Sequence, residues 1–335
     1  MELYVIGHGV QVPQYHSIVC EMTPVVLNDF QRRQDYVHTP LCLFHKIYSL
    51  TKRSRQSVTM TTTLDVVALA TKLGKGPMRF APVGERSVIE QIAALSPPER
   101  ECFDNLKTMW EAKNLHPFSD AMILRFARCS PGTQKFNEKA AWKVMQKFDP
   151  RYLELTVASM EGQLRSKTLF VVPGLQSSEG HDVFYMRPGR YFPKETSTQS
   201  IIDNLAYCMQ TMVEKEKACT EGIAFVANMK DWTMGNFSMS YCLEFMKMLQ
   251  GRSPVRVRMF VIADPPSWFN IIWKIMKGML ASDFRKKVHI IPRSEVGEFL
   301  MEGYSEFLCD DMEGGRASTD EMVSDFIAYR KEVEG

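Results

Sequence analysis

The rhythm of apolar positions changes twice along this chain. Over residues 1–84 it has no sustained period. Apolar fragments at Leu3–Ile6, Leu41–Tyr48 and Leu64–Leu73 are broken by KRSRQ at 52–56, TMTTT at 59–63 and GKGP at 74–77. Such a stretch predicts a poorly structured extension, and Met60 is a candidate for the true start. From Glu85 the spacing becomes helical. Val88, Ile89, Ile92 and Leu95 share a face, and Pro97-Pro98 opens a second helix through Lys113, as proline does in a first turn. Ser119 caps a third helix carrying Met122, Leu124, Phe126 and Cys129. A fourth runs from Lys135 to Phe148, and a fifth follows Asp149-Pro150. Residues 85–164 therefore read as a small all-helical unit.

After Leu164 short β-type runs alternate with helices. Strands are expected at Thr168–Val172, Val183–Met186, Gly222–Asn228, Val257–Ala263 and Val288–Ile291. Helices are expected from Ser197 or Thr198 to Ala218, over Ser238–Gln250 and over Trp268–Leu280. Strands separated by helices of this length need crossover connections, so the fold class is α/β with a mostly parallel sheet. This domain is placed at 165–308. Residues 309–335 read as an acidic tail ending in a helix from Thr319 to Lys331.

Composition narrows the function. The 335 residues are 45% hydrophobic and 24% charged, ordinary for a globular protein. No apolar run reaches membrane-spanning length, and the first residues lack a basic segment followed by an apolar core. The eight cysteines are dispersed without a CxxC pair, which predicts reduced thiols, no zinc site and a cytoplasmic location. The seven histidines form no HExxH. GxSxG and GxxxxGK[ST] are absent, and Gly74-Lys75-Gly76-Pro77 reads as a turn. His181-Asp182 is a conceivable base without a positioned nucleophile. The expectation is a non-enzyme with no metal or cofactor and no nucleic-acid partner. The 22 Met and 20 Phe suit either a soft core or an adaptable apolar cavity.

Charge is uneven. Residues 252–293 hold nine Lys/Arg against two Asp/Glu, a net of +7 in a chain of formal charge +2, so the remainder carries −5. Within this window Trp268, Ile271, Ile272, Ile275, Met276 and Met279 make a wide apolar stripe. It follows the stiff Asp264-Pro265-Pro266 and precedes Arg285-Lys286-Lys287. Two readings stand: a core crossover helix, or a lid that meets an anionic surface. Arg256 and Arg258 alternate on one strand and so share a face suited to phosphate.

These segments, in order, resemble the CRAL-TRIO family of lipid-binding proteins over about residues 120–308. Ile123–Arg128 is similar to its LLRFLRAR signature, Val183–Arg187 with Gly189-Arg190-Tyr191 to its first pocket strand and turn, and Gly222–Trp232 to its central strand. Asp264-Pro265-Pro266 stands at the start of its gate helix, and Phe284–His289 at its last strand. Pro254–Arg258 resembles the branch that binds tocopherol and retinaldehyde. Val255 stands where the phosphatidylinositol-exchanging branch carries Glu. The resemblance implies a CRAL-TRIO fold whose apolar pocket is closed by a gate helix. It also implies a lipidic ligand, either a hydrophobic small molecule or a phospholipid. The expected walls are Phe184, Tyr207, Phe225, Phe245, Phe260, Ile262, Trp268, Ile271, Ile272 and Ile275. Arg256, Arg258, Arg285 and Lys287 are expected as a phosphoinositide-contacting rim. The implied function is carriage or presentation of the ligand during reversible membrane association. The alternative is a phosphoinositide-sensing adaptor that moves no cargo, with protein partners unspecified.

Overall fold

The computed structural model describes residues 74–129 and 135–335, all within one compact unit. Met60 and the extension up to residue 73 lie outside the described residues. Residues 74–84 are ordered. Pro77–Phe80 form a turn of 3-10 helix whose Phe80 ring meets Phe326 at 5.2 Å, while Arg79 pairs with Asp325.

Five helices follow: α1 (Val88–Ala93), α2 (Pro97–Glu111), α3 (Asp120–Arg128), α4 (Glu138–Met145) and α5 (Val157–Arg165). Their starts are set locally. Ser87 with Glu90 and Ser96 with Glu99 form capping boxes, while Ser119 and Asn137 cap α3 and α4 through their side chains. Trp110 stacks on Phe118 at 4.5 Å, and Phe118, Phe126 and Phe148 continue the cluster. This aromatic core holds α2, α3 and α4 together. Between α4 and α5 the Asp149-Pro150 signal produces a 3-10 turn over Pro150–Glu154, and the fifth helix begins only at Val157.

The sheet contains β1 (Leu169–Gln176), β2 (Asp182–Met186), β3 (Ile223–Asn228), β4 (Val257–Ala263) and β5 (Val288–Ile291), in that spatial order. β1 runs antiparallel to β2, and all other neighbours are parallel. Every residue of β3 is buried, as a central strand covered on both faces requires. The register aligns Phe184, Phe225 and Phe260 across three strands, and Met186, Ala227 and Ile262 beside them. Side chains alternate along a strand, so these six share one face.

The crossovers are α6 (Thr198–Met212) with α7 (Glu216–Glu221), then α8 (Met239–Lys247), then α9 (Phe269–Met279) with α10 (Ser282–Arg285). The single helix expected up to Ala218 is two, interrupted at 213–215. Gly222 then adopts φ +100°, with Arg256 backbone and side-chain atoms packed where a Cβ would sit. The expected C-terminal tail is integrated into the core. In α11 (Thr319–Glu334), Met322, Val323, Phe326, Ile327 and Arg330 are buried at i, i+1, i+4, i+5 and i+8. Arg330 pairs with Glu214 and Glu334, and Tyr185 donates its hydroxyl to Asp311 at 2.8 Å. Among the described residues no helix is long and apolar enough to cross a membrane.

Candidate functional site: an apolar chamber beneath a helix

The shared face of β2, β3 and β4 has a floor and a chamber. Phe225 stacks on Phe260 at 5.3 Å with nearly parallel rings, meets Phe184 at 5.0 Å, and receives the Phe245 ring edge-on. These rings close the floor. Beyond them Met186, Ala227 and Ile262 face a chamber of about 80 Å³, completed by Tyr191, Met229, Trp232, Tyr241, Phe245, Phe260, Phe269 and Met276. Pockets that enclose a drug-sized molecule run to about 300–1,000 Å³, so the chamber is closed down around very little space. A larger cleft of about 630 Å³ beside Met246, Gln250, Arg252 and Met279 is open to solvent and bordered by Lys147 and Lys247.

Helix α9 roofs the chamber. Phe269 and Ile272 are buried, and Met276 completes the i, i+3, i+7 inner face. The adjoining face, turned to solvent, is also apolar: Ile271 is 66% exposed, Ile275 48% and Met279 42%. Lys274 and Lys277 on the helix and Arg285 and Lys286 just beyond it are exposed. Trp268 precedes the helix and lies against Trp232, with ring centroids 4.4 Å apart.

The helix ends are lightly held. No side chain caps α9, and its first turn has no acidic residue, so little local stabilisation opposes its displacement. It hangs from two tethers. At the start, Asp264 takes φ 53°, bonds Ile291 O through its own N–H, and accepts the Arg293 N–H on its carboxylate. At the end, the Ala281 N–H donates to Gln250 Oε1 at 2.8 Å, where α8 runs into a π-type turn at Met248–Arg252.

The sequence-derived residues distribute as follows. Phe245, Phe260 and Ile262 line the chamber, while Phe184 and Phe225 form its floor. Ile272 is on the inner face of the roof, and Trp268 is at its edge. Ile271 and Ile275 point outward: the helix is apolar on two sides, and the broad stripe merged both. Tyr207 lies elsewhere. Its hydroxyl donates to Glu334 at 2.7 Å and accepts from Arg330, so it faces α11 rather than the chamber. Met186 and Ala227 follow from strand parity, two residues after Phe184 and Phe225. Tyr191, Trp232 and Tyr241 come from loops and another helix, and no periodicity announced them.

The rim is partly corrected as well. Arg256 is only 3% exposed, and its Nε and Nη2 have no hydrogen-bond partner among the described residues. It packs with Arg258 and Lys287 where β4 and β5 begin. Arg258 donates to Glu221 O, and Lys287 donates to Val257 O at 2.7 Å. Burial, with Arg258 and Arg256 beside it, lowers the Lys287 amine from its ordinary value. Arg256 is lowered by burial and by Arg258. Alternation put Arg256 and Arg258 on one face, but Gly222 lets the chain close over the Arg256 stem. Arg285 alone of the four is exposed. Among the described residues no group of three or more His, Cys, Asp or Glu side chains is placed to hold a metal ion.

Comparison with known proteins places this architecture. The family model described as CRAL/TRIO domain matches residues 165–309. Tyrosine-protein phosphatase non-receptor type 9 from Mus musculus and from Homo sapiens are each 22% identical over 143 residues, covering 42% of this chain and 24% of theirs. The match thus spans about a quarter of the length of these curated relatives. The crystal structure of Sfh5 covers 72% of this chain and 99% of its own at 13% identity, with a TM-score of 0.44. Residues 165–309, the five-stranded sheet with its roofing helix, are a CRAL/TRIO domain.

Proposed function

We propose that this protein binds a hydrophobic, lipid-like ligand in the chamber and carries or presents it at phosphoinositide-containing membranes without catalysing a reaction. One observation carries the reading: the roofing helix is apolar on two adjoining faces, one turned inward through Phe269, Ile272 and Met276, the other turned to solvent through Ile271, Ile275 and Met279. A crossover helix in a purely structural role needs only the first face. The second gives it somewhere to go. An acyl chain of about 16 carbons faces a cost on the order of 10 kcal/mol in crossing water, while chamber and bilayer are both apolar. The chamber of about 80 Å³ cannot admit such a chain unless α9 moves.

The magnitudes are compatible with a membrane-driven opening. Uncovering Phe269 and Ile272 costs about 3–6 kcal/mol if both reach water. Lodging the exposed parts of Ile271, Ile275 and Met279 in an interface returns about 2–4 kcal/mol. Lys274, Lys277, Arg285 and Lys286 each add up to about 1 kcal/mol near anionic lipid. Arg258 and Lys287, half-buried where β4 and β5 begin, form a secondary cluster with Arg256.

The test is transfer of a fluorescent lipid between donor and acceptor vesicles, with and without phosphoinositide. Transfer accelerated by phosphoinositide supports the proposal. Vesicle binding without uptake or transfer favours the adaptor reading, for which the small closed chamber speaks. No dependence on the protein overturns the carrier reading.

A further inference from the structure

A second chemistry lies on the other side of the sheet's entry edge, independent of the lipid reading. Cys129 ends α3, and Cys219 sits in α7, 90 positions later. Their sulfurs are 3.7 Å apart, and the Cys129 thiol donates to the Cys219 backbone oxygen at 2.9 Å. Both residues are buried, but Cys219 borders a small cleft with Gln91, Arg125, Arg128 and Glu216. The surroundings are cationic. Arg128 is itself buried and held toward this cleft by Gln91 and Glu216. Arg256, buried and with two nitrogens that have no hydrogen-bond partner among the described residues, is within electrostatic reach of the Cys129 sulfur. A buried guanidinium is costly unless an anion stands beside it, and the Cys129 thiol is a nearby group able to become one.

We infer that Cys129 and Cys219 are a peroxide-oxidised dithiol, with Arg256 and Arg128 as its counter-charges. Cys219 is the attacking thiol because it, and not Cys129, borders the cleft, with Arg128 and Arg125 beside it. The Cys219 thiolate attacks one oxygen of hydrogen peroxide, the O–O bond breaks, and Cys219 becomes a sulfenic acid as hydroxide leaves. Cys129 loses its proton and attacks the Cys219 sulfur, the S–O bond breaks, and water departs as the S–S bond forms. Overall, two thiols and one peroxide give one disulfide and two waters. The sulfurs must close from 3.7 Å to about 2.05 Å, a short movement for a helix end and a six-residue helix. The bond staples the helical unit to the segment that feeds β3, beside the Arg256, Arg258 and Lys287 cluster.

The experiment treats the reduced full-length protein with hydrogen peroxide, quenches with acid, alkylates in denaturant and maps the peptides. The expected product is a Cys129–Cys219 linked peptide, reversible by reductant, while Cys102, Cys208, Cys242 and Cys309 stay alkylated. Cys129→Ala is expected to divert Cys219 to a sulfinic acid, since its resolving partner is gone. Arg256→Met is expected to slow linkage roughly tenfold and Arg256→Lys to restore it. A folded protein that yields no linked peptide, or that oxidises Cys102, Cys208, Cys242 and Cys309 as fast, overturns the dithiol. Equal linkage rates in wild type and a folded Arg256→Met protein overturn the role of Arg256.

Discussion

Replacing Ile271 and Ile275 together by serine removes the outward apolar face of α9 and leaves its inward face intact. The two side chains are 66% and 48% exposed, so together they present roughly one full isoleucine's worth of area to an interface. At about 1.5–3 kcal/mol for a fully buried isoleucine, the double variant loses about 2–3 kcal/mol of membrane binding. At 1.4 kcal/mol per tenfold, this is roughly a 30- to 150-fold weaker partition onto phosphoinositide vesicles. Because both positions face water in the free protein, melting should change little. Ile272→Ser is the contrast, because the buried side chain vacates the roof and the protein should lose about 2–4 kcal/mol of stability. Vesicle sedimentation across lipid concentrations reads the partition, and calorimetry reads the melting. Unchanged partition of a folded Ile271→Ser/Ile275→Ser protein would refute the outward face as a membrane contact.

Other outcomes follow from the same geometry. Gly222→Ala should lower stability by about 2 kcal/mol or more, read in urea, because its φ of +100° and the packed Arg256 atoms leave no room for a Cβ. Arg285→Ala with Lys286→Ala should weaken vesicle binding in a salt-dependent way. Arg256→Ala should instead shift melting, since that side chain is buried. The Glu216 carboxyl is held below its ordinary 4.5 by its hydrogen bond from Arg86, against partial burial, with Arg128 assisting. Its contribution is therefore present above about pH 4.5 and lost as pH falls through the folded-state value. The stability gap between wild type and Glu216→Gln should narrow over that interval in pH-resolved melts. A gap that stays constant on acidification would remove the carboxylate from the account.

The sheet was legible in the chain because each strand is a mostly apolar run of four to eight residues, and parity then fixes which side chains meet. Phe260 and Ile262 fell where alternation put them, and Phe184 and Phe225 landed on the same face as its floor. Helix α9 was found by its stripe, yet the stripe alone could not say that Ile272 turns in while Ile271 and Ile275 turn out. Orientation is set by the tethers at Asp264 and Gln250, which are contacts distant in sequence. Tyr207 misled for a related reason. It sits on an apolar helix face, but the polar partners that claim its hydroxyl, Arg330 and Glu334, come from the C-terminal helix. Arg256 read as surface because arginine at a strand start is usually solvated. Its burial depends on Gly222, which lets the chain close over the arginine stem.

The central claim is that the chamber beneath α9 holds an apolar ligand. Ala227 borders that chamber, and a phenylalanine there would occupy much of its 80 Å³. Native mass spectrometry of wild type and Ala227→Phe, each purified without detergent after exposure to extracted lipids, tests this directly. The account predicts a bound lipid mass on wild type and its loss from a variant that stays folded and still binds phosphoinositide vesicles. Equal lipid loading of both proteins, or none on wild type, would contradict it.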